Sequence, residues 1–183
     1  MYLKYLSIIV LFFISMNASS LDSDASAEII IESDRAEIDR KAGTATYIGH
    51  VELTQGTLLI HADRITLYSN KSNQLTKAIA KGKPAHFQQQ MEGDKGLTKA
   101  TSNVITYKTI AKTVTLFEEA ILKQEGHSFS GNLITYDIAN ESVSAIGKPN
   151  TSTGDTINPA DDGRIKMIIQ PATLDETPSN EDS

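Results

Sequence analysis

Few residues in this 183-residue chain are of the kinds that do chemistry, and their spacing argues against a reaction. The histidines are His50, His61, His86 and His127. No two stand at a spacing typical of a metal site. Three of them lie in runs that alternate apolar and polar residues, so they read as solvent-facing strand positions. Asp63 has the chemistry of a catalytic carboxylate, but its counterparts in the repeat described below are Ser102 and Gly131, so a turn-forming role fits better. Glu118 and Glu119 have the chemistry of an acid–base couple, yet strand neighbours point to opposite faces unless a bulge intervenes. The chain has no cysteine, which excludes disulfides, thiolate ligands and a cysteine nucleophile together. No serine sits in a recognisable nucleophile elbow, and no glycine-rich phosphate loop is present. The net charge is −6 with no basic block, which disfavours nucleic acid as a partner. The expectation is a non-enzyme with no catalytic residue, no metal and no cofactor.

The elements that would position any site are strands, and they repeat. Arg64-Ile-Thr-Leu-Tyr68 returns as Asn103-Val-Ile-Thr-Tyr107 and as Asn132-Leu-Ile-Thr-Tyr136, with a degenerate copy at Arg35-Ala-Glu-Ile-Asp39. Positions 39, 68, 107 and 136 mark the register, with gaps of 29, 39 and 29 residues (68−39, 107−68, 136−107). A period of this length signals stacked supersecondary units that bury a core only together. Val51 and Leu53 share one face of a run, opposite His50, Glu52 and Thr54; Val114 and Leu116 do the same against Thr113 and Thr115. Such alternation, rich in Thr, Ile, Val and Tyr, indicates half-buried strands. Leu75–Lys81 admits a helical reading, but its place before Gly82-Lys83-Pro84 favours strand. Gly49, Gly82 and Gly147 each follow a strand-like run and mark bends or bulges. Glu118 takes that place in the third unit, so the bend there is made differently or is absent. The surplus residues of the middle unit fall in Phe87–Gly96, which reads as a longer hairpin excursion.

The flanks differ in character. Residues 1–20 read as a secretory signal peptide, with Lys4 as the positive region, an apolar run from Tyr5 to Ile14, and small residues at Ala18-Ser19-Ser20. Ala25-Ser26-Ala27 is a later cleavage option, and an uncleaved anchor helix is the alternative. Residues 21–27 read as a flexible lead-in, 28–170 as one all-β domain, and 171–183 as a disordered acidic tail.

Many short strands with this repeat imply an all-β stack or roll of antiparallel strands, open at both ends. One exposed edge would be Glu28-Ile29-Ile30-Ile31, the other the strand Arg164–Gln170 with Ile165, Met167, Ile168 and Ile169. Such edges either dock another sheet or fold back under the tails. The apolar strand positions make either a filled core or a greasy groove, and alternation does not separate the two.

Several motifs in order resemble a family. They are Ile29–Asp39, Gly49-His-Val-Glu-Leu-Thr-Gln-Gly56, Ile60-His-Ala-Asp-Arg-Ile65 and Gly82-Lys-Pro-Ala-His-Phe87, preceded by the leader. Together they resemble the periplasmic lipopolysaccharide-transport (LptA, OstA-like) family, over roughly Ile29 to Gln170. The resemblance implies a twisted β-jellyroll open at both ends, in the periplasm, stacked head to tail on copies of itself. It implies that lipopolysaccharide slides along with its acyl chains in a groove. It also implies an LptC-like inner-membrane partner at the N-terminal edge and an LptD-like outer-membrane partner at the C-terminal edge. Carried over by motif, the groove candidates are Ile29, Ile31, Phe87, Ile105 and Tyr107. The competing expectation is an exported β-roll adaptor that joins partners by edge pairing and carries no lipid. An exported glycan-acting enzyme would need a carboxylate cluster on one face, which the chain does not offer.

Overall fold

The computed structural model describes Asp24 and residues 26–91, 96–148 and 163–171. The leader read over residues 1–20, most of the polar stretch before Gly163 and the tail beyond Pro171 lie outside the described residues.

Ten strands follow in order: β1 (Ile29–Glu32), β2 (Arg35–Asp39), β3 (Thr44–Gln55), β4 (Leu58–Ser69), β5 (Leu75–Gln90), β6 (Leu97–Lys108), β7 (Thr113–Gln124), β8 (His127–Asp137), β9 (Ser142–Ile146) and β10 (Lys166–Ile168). They form one antiparallel sheet in the order β1-β3-β4-β5-β6-β7-β8-β10, with β2 also on β3 and β9 also on β8. Its two ends do not meet, so the sheet stays open. From β2 to β9 each strand pairs with the next as a hairpin, as the short turn signals between alternating runs require, while β1 on β3 and β10 on β8 each reach past one strand.

Every long ladder is interrupted at one level. Pairing skips between Ile48 and Val51, His61 and Arg64, Lys81 and Ala85, Thr101 and Val104, and Phe117 and Ala120. Bulges bend the strands that carry them. Here they line up as a seam that divides the sheet into two halves. β1 and β2 are two pieces of one outer strand, parted at Ser33-Asp34. β9 and β10 are the pieces of the opposite outer strand.

The seam falls where Gly49, Gly82 and Gly147 were expected to mark bends. Gly49 has φ +82°, and a Cβ there would run into the Asp34 side chain, so the position favours glycine. Glu118 does not abolish the bend. Glu118 and Glu119 take φ of +61° and +54°, beside +82° and +43° for Gly49 and His50. The left-handed region costs an L-residue about 1–2 kcal/mol. The bulge in β7 therefore holds strain that the bulge in β3 lessens with glycine.

Alternation on each side of the seam sends one face inward. One half-sheet carries two inward rows across the strands: Tyr47, Ile65, Ala80, Ile105, Leu116, Ile134 and Ala145, then Ala45, Leu67, Ala78, Tyr107, Val114, Tyr136 and Val143. The other half carries Ile31, Leu53, Ile60, Phe87, Ala100, Leu122, Phe129 and Met167. The three rows meet in one apolar core. The Phe87 and Tyr107 rings touch across it with centroids 6.1 Å apart.

Three sequence expectations need correction. First, the repeat register is off by one in its second copy. Inward residues Ile65 and Leu67 correspond to Ile105 and Tyr107 and to Ile134 and Tyr136. Tyr68 instead points outward and carries the Lys77 ammonium 4.0 Å from its ring centroid. The gaps become 29, 40 and 29 for Ile38, Leu67, Tyr107 and Tyr136 (67−38, 107−67, 136−107). Second, Phe87–Gln90 complete β5 rather than loop out, and Phe87 is 2 % exposed. Third, the final strand is Lys166–Ile168, shorter than Arg164–Gln170.

The corrected register reveals a duplication. Ile31–Leu53–Ile60 in the first copy matches Ala100–Leu122–Phe129 in the second, an offset of 69 at each position (100−31, 122−53, 129−60). Gly82-Lys83-Pro84 recurs as Gly147-Lys148-Pro149. Phe87 stands opposite Ile60 as Met167 stands opposite Phe129, so β10 takes the place of the second part of β5. Ala80 and Phe87 are 7 residues apart, Ala145 and Met167 are 22, so 15 extra residues separate β9 from β10 (22−7).

Candidate functional site

The interior between the half-sheets is lined by side chains that strand alternation puts there. Four of the five groove candidates contribute to it. Phe87 is 2 % and Ile105 1 % exposed, while Ile31 and Tyr107 are half-buried against the same core. Ile29 sits at the rim, 37 % exposed. Ile30, expected with the edge, points to the outer face and is 54 % exposed, and Glu28 precedes β1. At the far edge Ile165, Met167, Ile168 and Ile169 are all exposed. Their exposure has a simple cause, since among the described residues β10 has β8 on one side and no strand on the other.

Where the free ends of the half-sheets approach each other, a cavity of about 330 Å³ opens. Ile29, Gln55, Leu58 and Gln89 line it from one half, Leu75, Tyr107 and Ile138 from the other. A larger hollow of about 960 Å³ lies outside the seam, among Lys83, Glu119, Lys148 and Arg164, and includes none of the three inward rows.

One wall of the inner mouth is polar. Gln89 faces Thr98 across β5 and β6, and both are buried. Asp24, only 5 % exposed, reaches in from ahead of β1. Its Oδ1 accepts the Thr57 backbone N–H at 2.8 Å. Its Oδ2 accepts the Thr57 hydroxyl, and the Gln89 Nε2–H at 3.3 Å. The Ala27 carbonyl accepts from Gln55 Nε2 at 3.3 Å. The lead-in is therefore tied down at Asp24, contrary to its polar composition. An aspartate in a run of small residues carries no periodic signal, so reading the sequence missed Asp24, Thr57 and Gln89. Burial, and then the charge of Asp24, push the Tyr107 hydroxyl above its ordinary value, so it stays protonated across physiological pH.

The expected solvent-facing histidines divide. His61 and His86 stand side by side on the outer face, and His61 meets Glu52 at 3.4 Å. His127 differs, since its Nδ1 accepts the Gln170 backbone N–H at 3.2 Å. His50 lies in the seam, with Nδ1 2.9 Å from Asp34 Oδ2. That hydrogen bond, then the charges of Asp34 and Asp63, raise the imidazole above its ordinary 6.5. A raised value means the contact stabilises the fold fully below the unfolded value and loses this contribution as pH rises through the folded one. In an NMR titration His50 is expected to titrate above 6.5, and Asp34→Asn to return it toward that value; an unchanged midpoint in the variant would remove Asp34 as the cause. Among the described residues, no three His, Cys, Asp or Glu side chains converge as metal ligands.

Comparison with known proteins bears on what such an interior holds. Residues 30–142 match the family described as LptA/(LptD N-terminal domain) LPS transport protein. The chain belongs to that family. Among LptA-family relatives, the lipopolysaccharide export system protein LptH of Pseudomonas aeruginosa is 36 % identical over 157 residues, covering 86 % of this chain and 87 % of LptH. The lipopolysaccharide export system protein LptA of Escherichia coli K12 is 30 % identical over 133 residues, covering 72 % of this chain and 71 % of that one. The crystal structure of LptH, the LptA homologous periplasmic component of the conserved lipopolysaccharide transport device from Pseudomonas aeruginosa, superposes with a TM-score of 0.67 at 33 % identity. It covers 81 % of this chain and 99 % of that one. The open antiparallel sheet described above is thus the β-jellyroll of the LptA family.

Proposed function

We propose that this LptA-family chain is a periplasmic carrier and bridge for lipopolysaccharide between the inner and outer membranes. The observation that carries the reading is the course of one inward apolar row, which runs strand by strand from Ile31 at one open edge to Met167 at the other. A ligand moving along such a wall exchanges like contacts for like contacts, and passage meets no deep trap. Burying about ten methylenes of an acyl chain is worth roughly 8 kcal/mol at ~0.8 each, before ordering costs. An exposed ion pair contributes about 0–1 kcal/mol. Apolar burial therefore dominates, and an acidic protein can carry an anionic lipid with its head group at the mouth. Ile29, Ile31, Phe87, Ile105 and Tyr107 are the acyl-contacting residues in this reading.

The two edges are the docking sites. Head-to-tail stacking of copies pairs β9 and β10 of one chain with β1 and β2 of the next. The N-terminal edge meets an LptC-like inner-membrane protein and the C-terminal edge an LptD-like outer-membrane protein. Export requires the leader, and cleavage near residue 20 is the site that retains the bonds made by Asp24 and Ala27.

A photo-crosslinking side chain at Tyr107, with the exposed Lys71 as control, tests the carrier reading in cells. A lipopolysaccharide adduct at Tyr107 and none at Lys71 is expected. The filled interior, with Phe87 and Ile105 almost inaccessible, favours a second reading, an adaptor that pairs through its edges and carries no lipid. No adduct at Tyr107, Ile31 or Phe87 in a folded chain would decide for the adaptor.

A further inference from the structure

We propose that Thr57 and Gln89 form an anion subsite at the groove mouth, filled by the chain's own Asp24 until the anionic head group of a bound amphiphile displaces it. The inference rests on the carrier reading and adds to it a place for the ligand's charge.

Three donors converge on one carboxylate: the Thr57 backbone N–H, the Thr57 hydroxyl and the Gln89 amide N–H. Charge-assisted bonds of this kind are about twice as strong as neutral ones. The backbone donor and the buried Gln89 stay in place whether or not Asp24 does, because the β3–β4 hairpin and the β5–β6 ladder hold them. Bonding to the carboxylate also fixes the Gln89 amide, turning Nε2 to Asp24 and Oε1 away. Oε1, and Oγ1 of the facing Thr98, are buried with no hydrogen-bond partner among the described residues. Two orphaned polar atoms beside three converging donors suit a head group that carries both an oxyanion and hydroxyls. The site opens on the cavity that Tyr107 and Leu58 line, so an acyl chain in the interior would bring its head group here.

Asp24 differs from the other members of this constellation in one respect. It lies before the first strand and is tied to the body through side-chain bonds, while its own carbonyl accepts the nearby Ala27 N–H. It can leave without breaking a sheet ladder. Phosphate and carboxylate oxygens both satisfy three donors, and they can arrive on a lipid or free in solution.

Calorimetric titration of the full mature chain with dodecyl phosphate, with neutral dodecyl maltoside and with inorganic phosphate separates these cases. Asp24→Asn is expected to bind dodecyl phosphate about tenfold more tightly and dodecyl maltoside unchanged. Adding Thr57→Val to that variant is expected to remove most of the gain. Tight binding of inorganic phosphate alone would make the site one for the free ion and overturn the head-group assignment. Equal gains for both amphiphiles, or none for either while both still bind, would overturn the subsite and leave the carrier reading standing. Binding of neither amphiphile to any variant would overturn both. Urea midpoints of the variants, measured in parallel, assign any loss that comes from unfolding.

Discussion

A chain carrying Ile31→Cys and Met167→Cys is expected to form covalent ladders under mild oxidation, with rungs at multiples of one chain. The internal duplication sets this register. In the first copy the strand that ends the unit, β5, pairs with the strand that begins the second, β6, and Phe87 stands opposite Ala100. Met167 is the second-copy counterpart of Phe87, and Ile31 the first-copy counterpart of Ala100. If β10 meets β1 of a following chain as β5 meets β6, Met167 lies opposite Ile31. By the same rule Val143 lies opposite Ile38, since Ala78 faces Tyr107.

Directly opposed residues have Cβ atoms about 4.5–5.5 Å apart, near the ~3.5–4.5 Å of a disulfide, whereas diagonal neighbours stand about 7–8 Å apart. The chain has no cysteine to confuse the result. The backbone of β10 is also turned the right way. Gln170 N–H is directed at His127 and the Lys166 carbonyl at Ser130, so even-numbered residues bond toward β8. Successive residues alternate, which leaves the N–H and C=O of Met167 for the free edge. Pairing Met167→Cys with Ile30→Cys, which points to the outer face, serves as the control. Ladders in the control as strong as in the test pair, or none in either, would mean that the chains do not join in the register of β5 and β6.

Phe87→Ala is expected to cost about 3–5 kcal/mol of folding stability, the usual loss for a large aromatic side chain removed from a packed interior. Phe87 is 2 % exposed, lies in the middle of its inward row, and touches Tyr107 of the opposite half-sheet. Deleting its ring leaves a void between the two half-sheets where Phe87 meets Tyr107. Urea denaturation reads the effect as a lowered midpoint at unchanged slope. A loss below about 1 kcal/mol would show that the walls close on the gap, and that the interior is soft enough to open around a ligand at little cost.

Much of this was legible in the residues, and the failures have physical causes. Strand alternation is a two-residue signal, and it put Val51 with Leu53 and Val114 with Leu116 on common faces, which the structure turns inward. Glycine after three of the runs marked the seam, at Gly49 because the backbone is left-handed there and at Gly82 and Gly147 because other backbone approaches too closely for a Cβ. Tyr68 misled for the same reason that alternation is informative. A tyrosine at the end of each motif invites alignment by type, yet a slip of one residue exchanges inside for outside. Leu67, not Tyr68, occupies the place of Tyr107. Glu118 shows the limit of reading a bend from glycine, since surrounding pairing can force a glutamate into the same conformation. The mouth was not legible at all. Its members come from three distant places, Asp24, Thr57 and Gln89, and only the pairing of β4 with β5 and the return of the lead-in bring them together.

Each outer edge of the sheet consists of two short pieces, β1 with β2 and β9 with β10, whereas the strands inside the module run unbroken for 11 to 16 residues. A strand that runs through the seam carries torsion across it even though its ladder skips there. Two ladders of three to five residues, separated by a gap, resist it far less. In a stack of such modules the stiffness is uneven, high within each unit and low where units meet. The assembly then behaves as an articulated rod rather than a beam. Its bending concentrates at the joints, and the span between its anchored ends can vary while the wall inside every unit keeps its shape.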